Sequence, residues 1–436
     1  MKGNLRRVGT AFVRIPSFWV TGSGRVRLSA RALLRGEPPR RPRQRRVLSE
    51  ERKWSSLVPG GLCVWAAFLI ALPQGVAAAE KNETAERKFL YVAEPGIRDY
   101  LQYGGHGVLV FDIGQGHRFV KRIPASGLDE KGRPLNVKGI CANASTKRLY
   151  VSTTRTLTCF DLVTEKILWE KAYEGGCDRM AISPDGKVIY LPSLEKAHWH
   201  VVDALTGDVI GKIVTNSGAH NTIIGLDGRH AYLAGLASPV LRVTDTQTHA
   251  VIREVGPFGN FIRPFTVNGR GTLCFVNVND LLGFEIGDLT TGRKLRRVEV
   301  QGFEKGPTAR HGCPSHGIGL TPDEKELWLT DAHNSRLHIF DVRLLASAAA
   351  DGTGTPPRQV ASITLRDQPG WVTFSIDGRY AYPSTGDVID VATRRIVAGL
   401  KDERGADVQS EKMLEIDFTG QEPVRCGDQF GLGRAR

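Results

Sequence analysis

The sequence predicts an all-β fold: a seven-bladed β-propeller of four-stranded antiparallel blades, closed by a C-terminal strand that completes the first blade. Three observations carry this. An aspartate ends a short apolar run seven times, at Asp112, Asp161, Asp203, Asp245, Asp288, Asp341 and Asp390, with spacings of 49, 42, 42, 43, 53 and 49 residues. A period near 42 with occasional insertions marks a radial or stacked repeat. An aromatic residue opens a strand in every repeat (Tyr91, Tyr150, Tyr190, Tyr232, Phe275, Trp328, Tyr382), and the first repeat lacks the strand that precedes it elsewhere.

The third repeat shows the unit most clearly. Met180-Ala-Ile, Val188-Ile-Tyr-Leu, Trp199-His-Val-Val and Asp208-Val-Ile-Gly-Lys-Ile are short runs rich in β-branched and aromatic residues, separated by turn residues. They read as four antiparallel strands, a to d. Ser183-Pro-Asp-Gly186 is a tight a–b turn, because Pro presets φ and Gly accepts positive φ. It returns as Gly225-Leu-Asp-Gly228, Asn268-Gly-Arg-Gly271, Thr321-Pro-Asp-Glu324 and Ser375-Ile-Asp-Gly378, with a degenerate form at Ser145-Thr-Lys147. Each repeat aspartate ends strand c, where its carboxylate can accept N–H groups of the c–d turn. Thr follows three residues later in five repeats (Thr164, Thr206, Thr248, Thr291, Thr393).

Strands b, c and d occur seven times and strand a six times, since the first unit starts at Phe89-Leu-Tyr-Val-Ala. Met413-Leu-Glu-Ile-Asp-Phe418 supplies the missing strand. A radial array must close on itself or leave unpaired edges, whereas an open solenoid needs no displaced last strand. With this signature over roughly residues 88–418, the chain resembles the bacterial YVTN-repeat propellers, a group similar in fold to lactonase-type and amine-dehydrogenase-type propellers. No repeat contains Tyr-Val-Thr-Asn itself; Tyr150-Val-Ser-Thr and Phe275-Val-Asn-Val come nearest. The resemblance implies a seven-bladed fold and no particular activity.

Charge divides the chain. Of the formal +13, residues 1–55 contribute +12 (15 Lys/Arg against 3 Asp/Glu), residues 56–79 are uncharged, and residues 80–436 hold +1. A near-neutral propeller has no global electrostatic case for binding nucleic acid. Residues 1–55 form a basic leader, either a disordered extension or a stretch upstream of the true translation start. Residues 56–79 read as a signal-peptide region: Leu62 to Leu72 is apolar and Val76-Ala-Ala-Ala79 fits small-residue cleavage. The apolar run is too short for a span of about 20 residues, so the expectation is an exported, periplasmic or extracellular protein with no stable membrane span after cleavage. Residues 80–436 form one propeller domain.

Six cysteines follow the cleavage site: Cys141, Cys159, Cys177, Cys274, Cys313 and Cys426, whose pairing spacing cannot give. With no Cys-x-x-Cys pair there is no covalent haem motif; Cys313-Pro-Ser-His316 holds only the second half of that signature. Cofactors stay open, a metal among them.

The repeat register picks out a candidate site. Counting back 12 from each strand-b aromatic gives Lys138, Asp178, His220, Arg263, His316 and Gly370. These stand where each d–a loop enters strand a and should ring the channel mouth. The next column is Gly139, Arg179, Asn221, Pro264, Gly317 and Trp371. Structural ion pairing explains such a column as readily as function does. As a convergent polar concavity, it is the default site for a small ligand. The first column sums to +1 with neutral histidines, favouring an anion. Lys138, Asp178, Arg179, His220, Asn221, Arg263, His316, His333 and Trp371 are the expected ligand-binding residues. His311, Cys313 and His316, with His220 opposite, could hold a transition metal.

Three long insertions fall on the same d–a/b–c face as His333, and rigid scaffolds tend to carry function on such loops. No nucleophile motif occurs. The expected function is therefore ligand binding at the channel mouth. Its alternatives are a lactonase-type hydrolase with His220 or His316 as general base, and a non-catalytic platform for protein or cell-wall contacts.

Overall fold

In the computed structural model the described residues are 86–125, 127–307, 310–345 and 355–435. The expected leader, 1–55, and signal region, 56–79, lie outside them. Twenty-nine strands and three short 3-10 turns make up the described chain. No helix among the described residues is long and apolar enough to cross a membrane.

The strands form seven antiparallel sheets. Blade one takes its strand a from the far end of the sequence: Met413–Thr419 pairs with strand b, Glu86–Glu94, in the register Tyr91 with Leu414. Strands c, Gly107–Asp112, and d, Arg118–Ile123, complete it. Blades two to seven are each contiguous in sequence. Blade two, for example, runs Val137–Asn143, Arg148–Thr153, Thr156–Asp161 and Ile167–Ala172. Each strand a touches those of the two neighbouring blades, and the circuit returns to Met413–Thr419, so the ring is closed.

The repeat signature has a local cause. The Asp161 carboxylate accepts from the N–H groups of Val163 and Thr164 and from the Thr164 hydroxyl, at 3.0, 2.7 and 3.0 Å. Asp203, Asp245 and Asp390 hold their c–d turns through the same acceptor. The residue four after the aspartate turns left-handed, as at Glu165 (φ 60) and Gly207 (φ 76), and strand d begins two residues later, at Ile167 and Val209.

Between blades the core is apolar and aromatic. Tyr150, Tyr190, Tyr232, Phe275, Trp328 and Tyr382 are buried, at 2 % exposure or less. Tyrosine suits this position because its hydroxyl reaches the next blade: Tyr150 donates to Ala204 O at 2.8 Å, and Tyr382 meets His117 at 3.0 Å. All six cysteines of the propeller are free thiols, and all but Cys426 are buried.

The channel is filled from within the chain. After Thr419 the backbone turns back, and a fifth strand, Glu422–Cys426, pairs on the inner side of blade one. Residues 427–435 then run through the ring. Gln429 caps Ile140 N–H and donates to Met180 O, both at 3.2 Å. Gly431 O accepts from Thr266 Oγ1 and Leu320 N–H, at 2.7 and 2.8 Å. The segment leaves beside the a–b turns, with Gly433 N–H on Val267 O and Arg434 N–H on Pro322 O. Phe430 and Leu432 join the core that holds Trp371 and Phe265. A cavity of about 410 Å³ remains between this segment and strands a of blades two to four.

Candidate functional site at the channel mouth

β-Bulges place the first column. Strand a is irregular between Val137 and Gly139, between Ala219 and Asn221, and between Ile262 and Phe265, so Lys138, His220 and Arg263 each sit in a bulge. A bulge interrupts the ladder and re-aims side chains, here where the loops enter the channel. Register also supplies a seventh member. Each column residue lies three before the strand-a partner of the blade's aromatic (Lys138 before Cys141, His220 before Ile223), and Tyr91 pairs with Leu414. The seventh residue is therefore Glu411, and Lys412 joins the second column.

These residues form one chain of contacts. Lys138 Nζ lies 3.5 Å from Asp178 Oδ1, and the other Asp178 oxygen is 2.6 Å from His220 Nδ1. His220 Nε2 is 3.5 Å from Arg179, which pairs with Glu411 Oε2 and lies 3.9 Å above the Trp371 ring. Lys412 Nζ meets the same Glu411 oxygen at 2.9 Å and donates to Gly96 O at 2.7 Å. Glu411 Oε1 faces His311 Nδ1 at 3.1 Å and His316 Nδ1 at 3.8 Å. His316 Nδ1 is also 2.7 Å from Gly370 O.

Loops cover this network and the C-terminal segment floors it. Gly96 belongs to the blade-one b–c insertion, whose Arg98 donates to Arg310 O in the blade-six d–a insertion at 2.9 Å. Gln429 bonds Ile140 and Met180, the rung directly below Gly139 and Arg179, and its carbonyl accepts the Trp371 indole N–H. The 410 Å³ cavity lies on the far side of Gln429, away from the titratable groups, so geometry and chemistry single out the mouth instead.

Burial and charge oppose each other here. Burial alone would raise the Asp178 carboxyl, but His220, once protonated in acid, and Lys138 hold it at about 2. Burial keeps His220 and His316 below the usual imidazole range, against Asp178 and Glu411 respectively, so both are neutral at pH 7. Glu411 is fully buried, yet Lys412 and Arg179 draw it well below the ordinary carboxylate range. Burial lowers Lys412 to about 7. With Lys412 protonated, three cations (Lys138, Arg179, Lys412) face two carboxylates (Asp178, Glu411), a net of +1, and Arg263 adds a further cation on the same column.

One pH dependence follows. A carboxylate depressed when folded stabilises the fold fully above its unfolded value and loses that contribution as pH falls through its folded value. Asp178, at about 2 against an ordinary 3.8, should therefore supply roughly 2 kcal/mol that disappears between about pH 4 and pH 2. Acid titration of unfolding free energy should show that drop in the wild type and a shallower one in Asp178→Asn.

Not every expected residue enters the network. Lys138, Asp178, Arg179, His220, His316 and Trp371 do, and Asn221 is a backbone neighbour of Arg179. Arg263 instead bonds Asn279 at 2.5 Å and Gly312 O at 3.3 Å, near the insertion. His333 is exposed and packs beside Gly306. Of the residues expected around a metal, His311 and His316 are adjacent, but Cys313 is turned to Ser315 O at 3.2 Å, with its thiol pushed up to about 12 by burial. His220 is engaged by Asp178. Glu411 and Lys412 escape a count back from Tyr91, which lands on Ala79, because blade one's strand a is displaced to the other end of the chain.

No family model matches the sequence, and no curated protein does. Among solved structures the fold is similar to dihydro-heme d1 dehydrogenase NirN in complex with DHE, at TM-score 0.53 and 14 % identity, over 78 % of this chain and 73 % of that one. It is also similar to hydrazine synthase of Kuenenia stuttgartiensis, at TM-score 0.40 and 16 % identity, over 60 % of this chain and 96 % of that one. At these identities the likeness is one of fold.

Proposed function

We propose that this chain is an exported propeller of the YVTN-repeat type that binds a small anionic ligand at the channel mouth. What supports the reading most is a set of buried polar atoms with no partner in the protein. The Asn221 amide nitrogen and oxygen and Arg179 Nε are all unpaired, in the second column of the mouth. Leaving such a group buried and unmatched costs about 1–3 kcal/mol, a cost that the polar atoms of a bound ligand would relieve. Donors outnumber acceptors around them and the net charge is positive, which selects a carboxylate or phosphate. Lys138 and Arg263 keep the most solvent access of the four cations and would make first contact. That a structural neighbour is described in complex with DHE is compatible with small-molecule binding and does not name this ligand.

Thermal unfolding in increasing phosphate and in a dicarboxylate such as succinate tests the reading. The wild type should gain several degrees, and Arg263→Ala or Lys138→Met should lose most of that gain while melting normally without anion. Equal gains in wild type and both variants would mean a nonspecific salt effect and remove the proposal.

A second reading, lactone or ester hydrolysis, is favoured by one contact: the 2.6 Å bond from Asp178 fixes the tautomer and orientation of His220 as a general base requires. Lactone turnover that vanishes in His220→Ala would establish it. Turnover that persists there would discard it.

A further inference from the structure

We propose that His311, His316 and Glu411 form a binding site for one divalent transition metal of the zinc class, with coordination positions left open. The three residues are buried, and one ligand atom from each lies within 4.8 Å of the others. Two ligands at about 2.0–2.1 Å from a tetrahedral ion stand about 3.3 Å apart. His311 Nδ1 and Glu411 Oε1 are 3.1 Å apart, close to that value.

The surroundings of the three residues match what metal ligands need. A metal-bound histidine usually donates its other ring N–H to a backbone carbonyl or carboxylate, which fixes its tautomer. His316 Nδ1 is 2.7 Å from Gly370 O, which makes Nδ1 the donor and leaves Nε2 with its lone pair. His311 Nε2 lies 3.4 Å from Gln368 O, so the same blade-seven loop can orient both rings. Glu411 is divided between its two oxygens. Arg179 and Lys412 hold Oε2, while Oε1 faces only the imidazoles. In the metal-free protein His311 Nδ1 and Glu411 Oε1 lie within hydrogen-bond distance of each other. A divalent cation bound at Nδ1 and Oε1 would replace that contact, with the neutral ring carrying its N–H on Nε2, 3.4 Å from Gln368 O.

The ligand set is nitrogen and oxygen without sulfur. Cys313, two residues from His311, is a protonated thiol bonded to Ser315 O. Two imidazoles and one carboxylate suit zinc and its first-row neighbours and leave coordination positions unfilled by protein. The site touches the anion-binding network through Glu411, which Arg179 also pairs with, while Lys138 and Arg263 bond neither His311 nor His316.

The test uses purified protein, treated with EDTA, dialysed and titrated with Co(II), followed by visible absorption and elemental analysis. The expected result is one Co(II) per chain, with d–d bands and no thiolate charge-transfer band. His311→Gln and His316→Ala should each weaken uptake by at least about tenfold, the loss typical even for outer-shell changes. Glu411→Gln gives a near-isosteric check should a histidine variant misfold, and Cys313→Ser should bind as the wild type does. No uptake by the wild type, a strong thiolate band, or unchanged uptake in the folded variants would overturn the site. Phosphate-dependent stabilisation measured on the same EDTA-treated sample reports on anion binding separately.

Discussion

Deleting residues 427–435 is expected to cost about 5 kcal/mol or more of unfolding free energy, read as a large fall in the urea midpoint. Phe430 and Leu432 are 3 % and 7 % exposed in the core around Trp371. Truncating a buried Phe or Leu to Ala costs about 2–5 kcal/mol each. The deletion also strips partners from buried groups on five blades: Ile140 N–H, Met180 O, Thr266 Oγ1, Leu320 N–H and the Trp371 indole N–H. Some of that loss is recovered by water entering the opened channel, so the estimate stays well below the sum. A single change probes the same seat. Gly431 has φ 60, and a Cβ there would come 2.9 Å from the Gly319 backbone, so Gly431→Val should unseat the segment and reproduce much of the deletion. A deletion variant with the wild-type midpoint would show that the segment does not occupy the channel in solution. Deletion should also alter ligand binding at the mouth, because Gln429 and Trp371 form its floor.

Arg179→Ala is expected to be the most damaging single substitution in the mouth, at about 3–5 kcal/mol. Its side chain is 3 % exposed and that of Glu411 7 %, so this ion pair is out of water. Removing one partner of such a pair leaves a buried charge poorly matched, which is what makes the change costly. Lys412 and the imidazoles still face Glu411, so the loss should fall toward the lower end. Arg179→Lys keeps the charge but loses the planar stack on Trp371 and the reach to both His220 and Glu411, and should lie between wild type and Ala. Arg179→Met combined with Glu411→Gln removes both charges together and should cost clearly less than the two single changes added. Strict additivity in urea titrations would mean that the two side chains are not coupled.

The sequence discloses the blades because each one repeats a local device: an aspartate that ties its own turn and an aromatic that fills the gap to the next blade. The aspartate acts within a few residues and the aromatic recurs once in every repeat, so spacing alone reveals them. Closure by Met413–Thr419 was also readable, from a strand missing at one end and spare at the other. Six rungs of the mouth came from the same register. The seventh did not, because Glu411 has no strand-b aromatic following it in sequence; only the pairing of Tyr91 with Leu414 places it. The course of residues 427–435 left no periodic trace, since an irregular segment bonded to five different blades repeats nothing. Cys313 and His311 are close in sequence, yet the thiol bends to Ser315 O while the imidazole meets a carboxylate a hundred residues away.

Sealing by the last strand also sets a schedule for synthesis. Met413 follows Glu86 by 327 positions, so at about 5–20 residues per second the earliest strand waits roughly 15–65 s for its partner. Until then strand Glu86–Glu94 has an unpaired edge, a surface that invites sticking to neighbours. A ribosome stalled before residue 413 should release a product that clumps instead of one that is merely unstable, as sedimentation of the released chains would show.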